Sequence, residues 1–193
     1  MFEAVQLYAQ ARDFKQATAL SDELAKSTNA PAELRARGER TATRYGFLGK
    51  PFDLKFTSTD GRGIDFEKLR GKVVLIDFWA SWCGPCRRAF PEIKETYAQL
   101  TANGFEVIGV NLDEKEDAMR KVLTEFDMKY PTRFDGQGMN GTMGQRFGIT
   151  GIPSMWLVDK KGVVRDIREG VPRDPTVGMK LKEQVTSLLE EKN

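Results

Sequence analysis

Two cysteines, Cys83 and Cys86, are the only thiol side chains in this chain of 193 residues. They lie three positions apart, directly after the apolar run Val73–Trp79, which is typical of a buried strand. Gly84 and Pro85 between them favour the first turn of a helix. Two sulfurs where a strand gives way to a helix can form and break a disulfide within one turn of backbone. The spacing therefore predicts thiol-disulfide exchange.

Other uses of a Cys-x-x-Cys pair each need a further feature. A structural zinc site takes four ligands, usually Cys or His, and this chain has no histidine and no third cysteine. Covalent haem attachment needs a histidine after the second cysteine, where this chain has Arg87. We therefore expect no metal and no cofactor. A static disulfide stays open as an alternative, although closing so short a loop removes little entropy from the unfolded chain.

The position of the pair predicts which sulfur reacts first. With Gly84 and Pro85 in the first helical turn, Cys83 falls at the N-cap, where a thiolate accepts hydrogen bonds from free backbone N–H groups. These groups and the helix dipole should lower the pKa of Cys83 below the usual value of about 8.5. Cys86 lies one turn further inside the helix and is shielded. We expect Cys83 to attack and Cys86 to act second.

Asp77 interrupts a strand that is otherwise apolar on both faces. Such a strand belongs in the middle of a covered sheet, where loss of hydration raises the pKa of a carboxyl group. An aspartate that exchanges its proton near neutral pH could accept the proton of Cys86 in the second step. The alternative is an aspartate near a strand end that contacts water or a loop.

Two separate segments resemble a known family. Ile76–Cys86 is similar to the active-site segment of thioredoxins, with an acidic residue six positions before the first cysteine. Phe147–Ser154 resembles the segment that carries the cis-proline of that family. The similarity extends from about Gly49 to Glu190. More narrowly, the hairpin before the active-site strand and the helix inserted after Asn111 resemble thiol-disulfide oxidoreductases of the extracytoplasmic TlpA/ResA type.

The resemblance implies roles for further residues around the cysteines. The substrate-binding surface would consist of Trp82, Gly84, Pro85, Ile152 and Pro153. The backbone of Ile152 would pair with an extended polypeptide, and Pro153 would keep other groups, including metal ions, away from the sulfurs. Only about 5 to 6% of X-Pro bonds are cis, so the sequence without the resemblance favours a trans Pro153. The resemblance implies cis.

The chain also departs from the family in three places. Thioredoxins have a lysine near the buried acid, on the following strand, and here Gly109 takes that position. We therefore expect Asp77 to ionise less readily. Members of the TlpA/ResA type often have a glutamate three residues after the second cysteine, where this chain has Ala89, which disfavours a role in cytochrome c maturation. The first 45 residues have no thioredoxin counterpart.

Apolar periodicity predicts an α/β protein with a mixed central sheet and helices on both faces, which is also the thioredoxin fold that the resemblance implies. Residues 49–193 are expected to form this thioredoxin-like domain, and residues 1–48 an N-terminal helical hairpin extension. The hairpin would consist of a helix over 1–27 and an arginine-rich helix over 32–45. In the domain we expect strands over 52–56, 73–79, 105–112, 131–134, 155–158 and 163–167, and helices ending near 103, 126, 147 and 189, the last beginning at Pro175.

Charge and hydropathy exclude several classes of function. Thirty basic and 28 acidic residues leave a net charge of +2, which is too balanced for a nucleic-acid surface. No run of 18 apolar residues is present, so we expect no membrane span. The N-terminus lacks the pattern of a signal peptide. Either the protein is cytoplasmic, or a signal or anchor segment has been removed; the resemblance implies a periplasmic or otherwise extracytoplasmic location.

The main hypothesis is a thiol-disulfide oxidoreductase that reduces protein disulfides through a mixed disulfide and receives electrons from an upstream thiol donor. Gly-Pro between the cysteines resembles reducing thioredoxins. One alternative is a binding module with an inert disulfide, whose N-terminal helices recruit a partner. Another is a thiol peroxidase on the same fold, although peroxiredoxins use a threonine three residues before the reactive cysteine, where this chain has Ala80.

Overall fold

The computed structural model describes residues 1–10, 13–171 and 180–192. Its strands are β1 (Lys55–Thr57), β2 (Gly63–Asp65), β3 (Val73–Trp79), β4 (Phe105–Asn111), β5 (Thr132–Arg133), β6 (Ser154–Val158) and β7 (Val164–Glu169). Strands β1 and β2 form an antiparallel hairpin. The other five form one sheet in the order β5-β4-β3-β6-β7.

Strand β3 lies at the centre of this sheet. All of its residues are buried, as expected for an apolar strand covered on both faces. It runs parallel to β4, with Asp77 opposite Gly109, and antiparallel to β6, with Asp77 opposite Met155. The sheet is therefore mixed, which confirms the predicted fold class.

The helices are α1 (Phe2–Gln10), α2 (Phe14–Lys26), α3 (Ala32–Tyr45), α4 (Gly84–Leu100), α5 (Glu116–Glu125), α6 (Thr142–Arg146) and α7 (Leu181–Glu190). A short 3₁₀ turn follows α4. Among the described residues, no helix is both long enough and apolar enough to cross a lipid bilayer.

Alternate residues of β3 face opposite helical layers because side chains along a strand alternate between its two faces. Leu75 shares an apolar cluster with Ile93 of α4 and Val185 of α7. Ile76 belongs to a second cluster, which includes Ala17 of α2. Helices thus cover both faces of the sheet, as predicted.

The described residues of the N-terminal extension form three helices and not the predicted hairpin of two. The expected single helix over 1–27 is wrong, because Asp13 has a non-helical backbone and starts α2. Its carboxylate accepts a hydrogen bond from the backbone N–H of Gln16 at 3.1 Å, which satisfies a free donor of the first turn. The second predicted helix is confirmed as α3. Apolar periodicity detects the buried stripe but not the cap that divides it.

The extension packs into the core of the protein. Val5 of α1 and Tyr45 of α3 belong to the same apolar cluster as Phe52 and Trp156. Helices α2 and α3 approach closely at Gly38, where a side chain would place its Cβ 2.9 Å from the carbonyl oxygen of Ser21. Residues 1–48 therefore share a core with the sheet, and a domain boundary after residue 48 stays a prediction.

Two other segments differ from the sequence predictions. The strand expected over 52–56 is shorter and shifted: pairing with β2 begins at Lys55, whereas Phe52 and Leu54 precede the strand and bury their side chains in the core. The last helix begins at Leu181. Its predicted start at Pro175 lies outside the described residues. The remaining predicted strands and helices are present within a few residues of the expected bounds.

We expect Gly148→Ala to destabilise the protein more than Gly61→Ala. Both glycines have positive φ, +62° and +87°, and alanine in that region costs roughly 1 to 2 kcal/mol. At Gly61 a Cβ meets nothing within 4 Å, whereas at Gly148 it overlaps the carbonyl oxygen of Arg40 and lies 2.9 Å from the amide nitrogen of Arg44. This overlap should cost about 1 to 3 kcal/mol more.

The free energy of unfolding in urea, measured for wild type and both variants, checks this difference. Equal losses of unfolding free energy in the two variants would show that the backbone of α3 is not in close contact with Gly148 in solution.

Candidate active site

Cys83 and Cys86 form a disulfide at the start of α4. Their Cα atoms are 5.3 Å apart, within the range that a disulfide can span. Cys83 is the N-cap of the helix, and its sulfur accepts a hydrogen bond from the backbone N–H of Cys86 at 3.1 Å. Pro85 lies in the first turn, where its missing N–H leaves no helical hydrogen bond unmade. The predicted N-cap placement is confirmed.

Exposure differs sharply across the segment that contains the cysteines. Cys86 is completely buried, and Cys83 retains 4% of its surface. Trp82 is 61% exposed, and Gly84 and Pro85 are exposed as well. The protein surface around Cys83 thus consists of an aromatic ring and a short stretch of accessible backbone.

A buried hydrogen-bond network holds the loop before the cysteines. The backbone N–H and the hydroxyl of Ser81 both donate to the Asp113 carboxylate, at 2.8 and 2.7 Å. The side-chain amide of Asn111 donates to the same carboxylate at 2.8 Å. Asp113 is 2% exposed. These contacts tie the loop after β3 to the end of the neighbouring strand β4.

Ser81, Asn111 and Asp113 were not predicted as site residues from the sequence. The sequence does contain a signal for two of them, because Asn111 ends and Asp113 follows a buried strand that runs parallel to β3. The carboxyl ends of parallel neighbours lie at the same edge of a sheet, so polar residues there meet the loop that carries the cysteines.

The segment before β6 reaches the same edge of the sheet. The peptide bond between Ile152 and Pro153 is cis, and Pro153 is buried. Ser154, the next residue, pairs with Phe78 near the end of β3. Ile152 is half-buried and packs against the apolar cluster that contains both cysteines. The structure therefore brings the cysteine pair and the Ile152–Pro153 peptide to one edge.

Asp77 lies below this edge, in the middle of the sheet, with 1% of its surface exposed. Its Oδ2 atom is buried and accepts no hydrogen bond from any residue of the described ranges. Burial raises the pKa of Asp77 to about 7, because the ionised form loses its hydration. The charge of Asp77 also adds to the effect of burial in raising the pKa of Tyr130.

Gly109 occupies the place beside Asp77 that the sequence comparison assigned to it. A Cβ on this residue would lie 2.7 Å from the Thr132 hydroxyl oxygen and 3.2 Å from Trp79 Nε1. A lysine at this position would therefore displace Thr132 or Trp79. Strand β4 accordingly supplies no cation to the buried carboxyl.

Two further positions near the cysteines are apolar or engaged elsewhere. Ala89, where related proteins often have glutamate, is buried in the cluster that contains the cysteines. Arg87 donates a hydrogen bond to Glu125 at 2.6 Å, and its guanidinium lies over the ring of Phe126. The charged group of Arg87 therefore contacts α5 and the residue that follows it. The backbone N–H of Cys86 is the positive group that directly contacts the Cys83 sulfur.

Comparisons with known proteins agree with this geometry. A family model described as Redoxin matches residues 46–181. A relative named thiol-disulfide oxidoreductase ResA, from Bacillus thuringiensis strain Al Hakam, is 32% identical over 136 residues, which are 69% of this chain and 71% of the relative. The protein of the same name from Geobacillus thermodenitrificans is 31% identical, over 68% of this chain and 73% of its own length.

Solved structures give the same result. A protein from Chlorobium tepidum, named as a candidate thiol:disulfide interchange protein DsbE, superposes with a TM-score of 0.64 at 32% identity, covering 74% of this chain and 99% of the other. MTB DsbF, solved in mixed oxidised and reduced forms, has a TM-score of 0.59 at 26% identity, covering 70% and 95%. The chain therefore belongs to the Redoxin family, as a ResA-like thiol-disulfide oxidoreductase of the thioredoxin superfamily.

Proposed function

We propose that this oxidoreductase reduces protein disulfides, with Cys83 as the attacking thiolate and Cys86 as the resolving thiol. The observation that carries the assignment is the hydrogen bond from the Cys86 N–H to the Cys83 sulfur at the N-cap of α4. A sulfur in this position is stabilised as a thiolate by the backbone N–H and by the helix dipole. Cys86 is fully buried and can reach only a partner already joined to Cys83.

The reaction consists of two exchanges that together transfer two electrons. The Cys83 thiolate attacks a substrate disulfide, so that a Cys83–substrate disulfide forms, the substrate bond breaks and one substrate thiolate leaves. Cys86 then loses its proton and attacks the Cys83 sulfur. This step forms the Cys83–Cys86 disulfide and releases the second substrate thiolate. An upstream dithiol donor reduces the enzyme by the reverse chemistry.

Asp77 is proposed as the acceptor of the Cys86 proton. Its side chain lies on the β3 face that carries Leu75 and Trp79, which belong to the same cluster as Cys86. A pKa of about 7 matches proton exchange at neutral pH. No lysine stands at Gly109 to hold the carboxyl ionised. This environment supports a carboxylate that gains and loses a proton in each cycle.

The proposed substrate surface consists of Trp82, Gly84, Pro85, Ile152 and Pro153. The exposed ring of Trp82 offers apolar contact beside Cys83, and Ile152 lies two residues before Ser154, which pairs with Phe78 near the same edge of the sheet. We propose that an extended polypeptide pairs with Ile152 while its disulfide meets Cys83. By resemblance to the TlpA/ResA type, we also propose an extracytoplasmic location.

Insulin reduction with dithiothreitol as electron donor tests the reductase assignment. Wild type should accelerate the reaction, and Cys83→Ser should abolish this acceleration because no attacking thiolate remains. Cys86→Ser should form a stable mixed disulfide with the substrate through Cys83, detectable by mass spectrometry.

Wild-type protein that adds nothing to the rate of the donor alone would refute the assignment. A stable mixed disulfide between the substrate and Cys86 in the Cys83→Ser variant would show that Cys86 attacks and Cys83 resolves. An equilibrium potential far below about −300 mV against glutathione would instead indicate an inert disulfide.

Asp77→Asn should slow the resolving step by roughly a hundredfold at neutral pH, because the amide cannot accept the Cys86 proton. In wild type the rate of this step should rise with pH around an apparent pKa of about 7. Rapid-mixing measurement of mixed-disulfide decay across pH 5 to 9 checks both effects. Decay of the variant with the wild-type rate and pH profile would exclude Asp77 as the base.

Stability should change with pH in a definite direction. The folded pKa of Asp77 is raised above its value of about 4 in the unfolded chain, so the protonated group contributes stability that is lost as pH rises toward 7 and beyond. The free energy of unfolding of Asp77→Asn relative to wild type should therefore be higher at pH 8 than at pH 5. The difference between these two pH values should be roughly 2 to 3 kcal/mol, because the whole shift corresponds to about 4 kcal/mol and part of it is already lost at pH 5. A constant difference at both pH values would mean that the pKa of Asp77 is not raised.

A further inference from the structure

Two arginines of the N-terminal extension contact the segment that leads to Pro153. Arg44 Nη1 donates to the carbonyl oxygen of Gly148 at 2.7 Å and to the Thr150 hydroxyl at 2.9 Å. Arg40, one helical turn earlier, donates to the carbonyl oxygen of Ile149. Three consecutive residues shortly before the cis peptide are thus bound by side chains of α3.

Arg44 also contacts strand β7, which pairs with the chain that follows the cis peptide. Its Nη2 donates to Glu169 at 2.8 Å, and Glu169 lies opposite Ser154, the residue after Pro153. The Tyr45 hydroxyl donates to the same carboxylate oxygen at 2.9 Å. One guanidinium therefore links the chain before Pro153 to the strand beside the chain after it.

Burial of the Arg44 guanidinium costs free energy, which its hydrogen bonds and ion pair must offset. The Arg44 side chain is only 2% exposed, although a buried charge is costly unless it is paired and hydrogen-bonded. Burial and the charge of Arg44 lower the pKa of the neighbouring Arg40. Two like charges are thus held one turn apart at the same loop. The backbone at Gly148 also approaches α3 so closely that a Cβ would overlap the Arg40 carbonyl oxygen.

The cysteine loop is fixed by a different set of contacts. Ser81 of this loop donates to Asp113, which follows β4, and neither residue forms a hydrogen bond with Arg44 among those described. Loss of Arg44 should therefore disturb the Ile152–Pro153 peptide and leave the chemistry of the sulfurs intact. This separation distinguishes a role in substrate positioning from a general effect on folding.

We propose that Arg44 is a positioning residue for polypeptide substrates. By fixing residues 148–150 and Glu169, it holds the Ile152 backbone in the orientation that pairs with an extended chain next to Cys83. The inference rests on the proposed function. It makes the N-terminal extension, which lies outside the matched family region, part of the substrate-binding half of the active site.

The test compares insulin with a small disulfide that has no polypeptide backbone, such as 2-hydroxyethyl disulfide. Arg44→Met should raise KM for insulin about tenfold, with kcat within about twofold of wild type. The rate with the small disulfide and the equilibrium potential against glutathione should not change. Arg44→Lys, which retains the charge but not the fork of donors, should fall between Arg44→Met and wild type.

Thr150→Val provides a second variant that retains the buried guanidinium. It removes one acceptor of Arg44 from the loop itself and should raise KM for insulin in the same direction by a smaller factor. Arg165→Met is the matched control, because Arg165 also forms carboxylate ion pairs, in its case with Asp159 and Glu191, but lies at the opposite end of β7 from Glu169. It should leave KM unchanged.

If both Arg44→Met and Thr150→Val have the wild-type KM for insulin, the inference is overturned while the proposed reductase function stands. Equal losses with insulin and with the small disulfide would also overturn it, since they would show a general structural role. If Arg44→Met does not fold, Thr150→Val decides between the outcomes. Wild-type protein that fails to reduce insulin would contradict the proposed reductase function, and the inference would fall with it.

Discussion

A strand that is buried on both faces approaches solvent only at its ends, and here the carboxyl end of β3 leads directly into the N-terminus of α4. The Cys83 sulfur acts as the N-capping group at that junction and accepts a hydrogen bond from the backbone N–H of Cys86. Because β3 is held between β4 and β6, the junction cannot move without disturbing the centre of the sheet. The position of the Cys83 sulfur is thus a consequence of how the core is built.

The same buried strand determines the behaviour of Asp77. A carboxyl in the middle of a covered sheet either finds a cation or retains its proton. The space in which a cation-bearing side chain would begin, at Gly109, is bounded by Thr132 and Trp79. Packing on the neighbouring strands therefore leaves the pKa of Asp77 near neutrality. A glycine that looked like a loss from the family pattern is required by the close approach of two side chains.

The features predicted correctly from sequence are those encoded locally. The strand before Cys83, the N-cap position and the buried acid follow from spacing over about ten residues. The features that were missed depend on distant contacts or on short polar devices. Asp13 divides an apparently continuous helix through a single cap, and Phe52 and Leu54 alternate as in a strand yet fill the core. Asp113 acquires its place only because β4 lies beside β3.

The two halves of the proposed active site are supported independently. The cysteine loop is held through Asp113 from β4, and its sulfurs lie in the apolar cluster between the sheet and helices α4, α5 and α7. The approach to Pro153 is held through Arg44 of α3, a helix whose apolar residue Tyr45 lies in the cluster on the opposite face. Because the two loops are held by hydrogen bonds from different layers, a change in either layer should affect mainly the loop that it supports. On this arrangement, we expect variation in the extension to alter which polypeptides are accommodated, and variation around Asp77 to alter the proposed proton transfer.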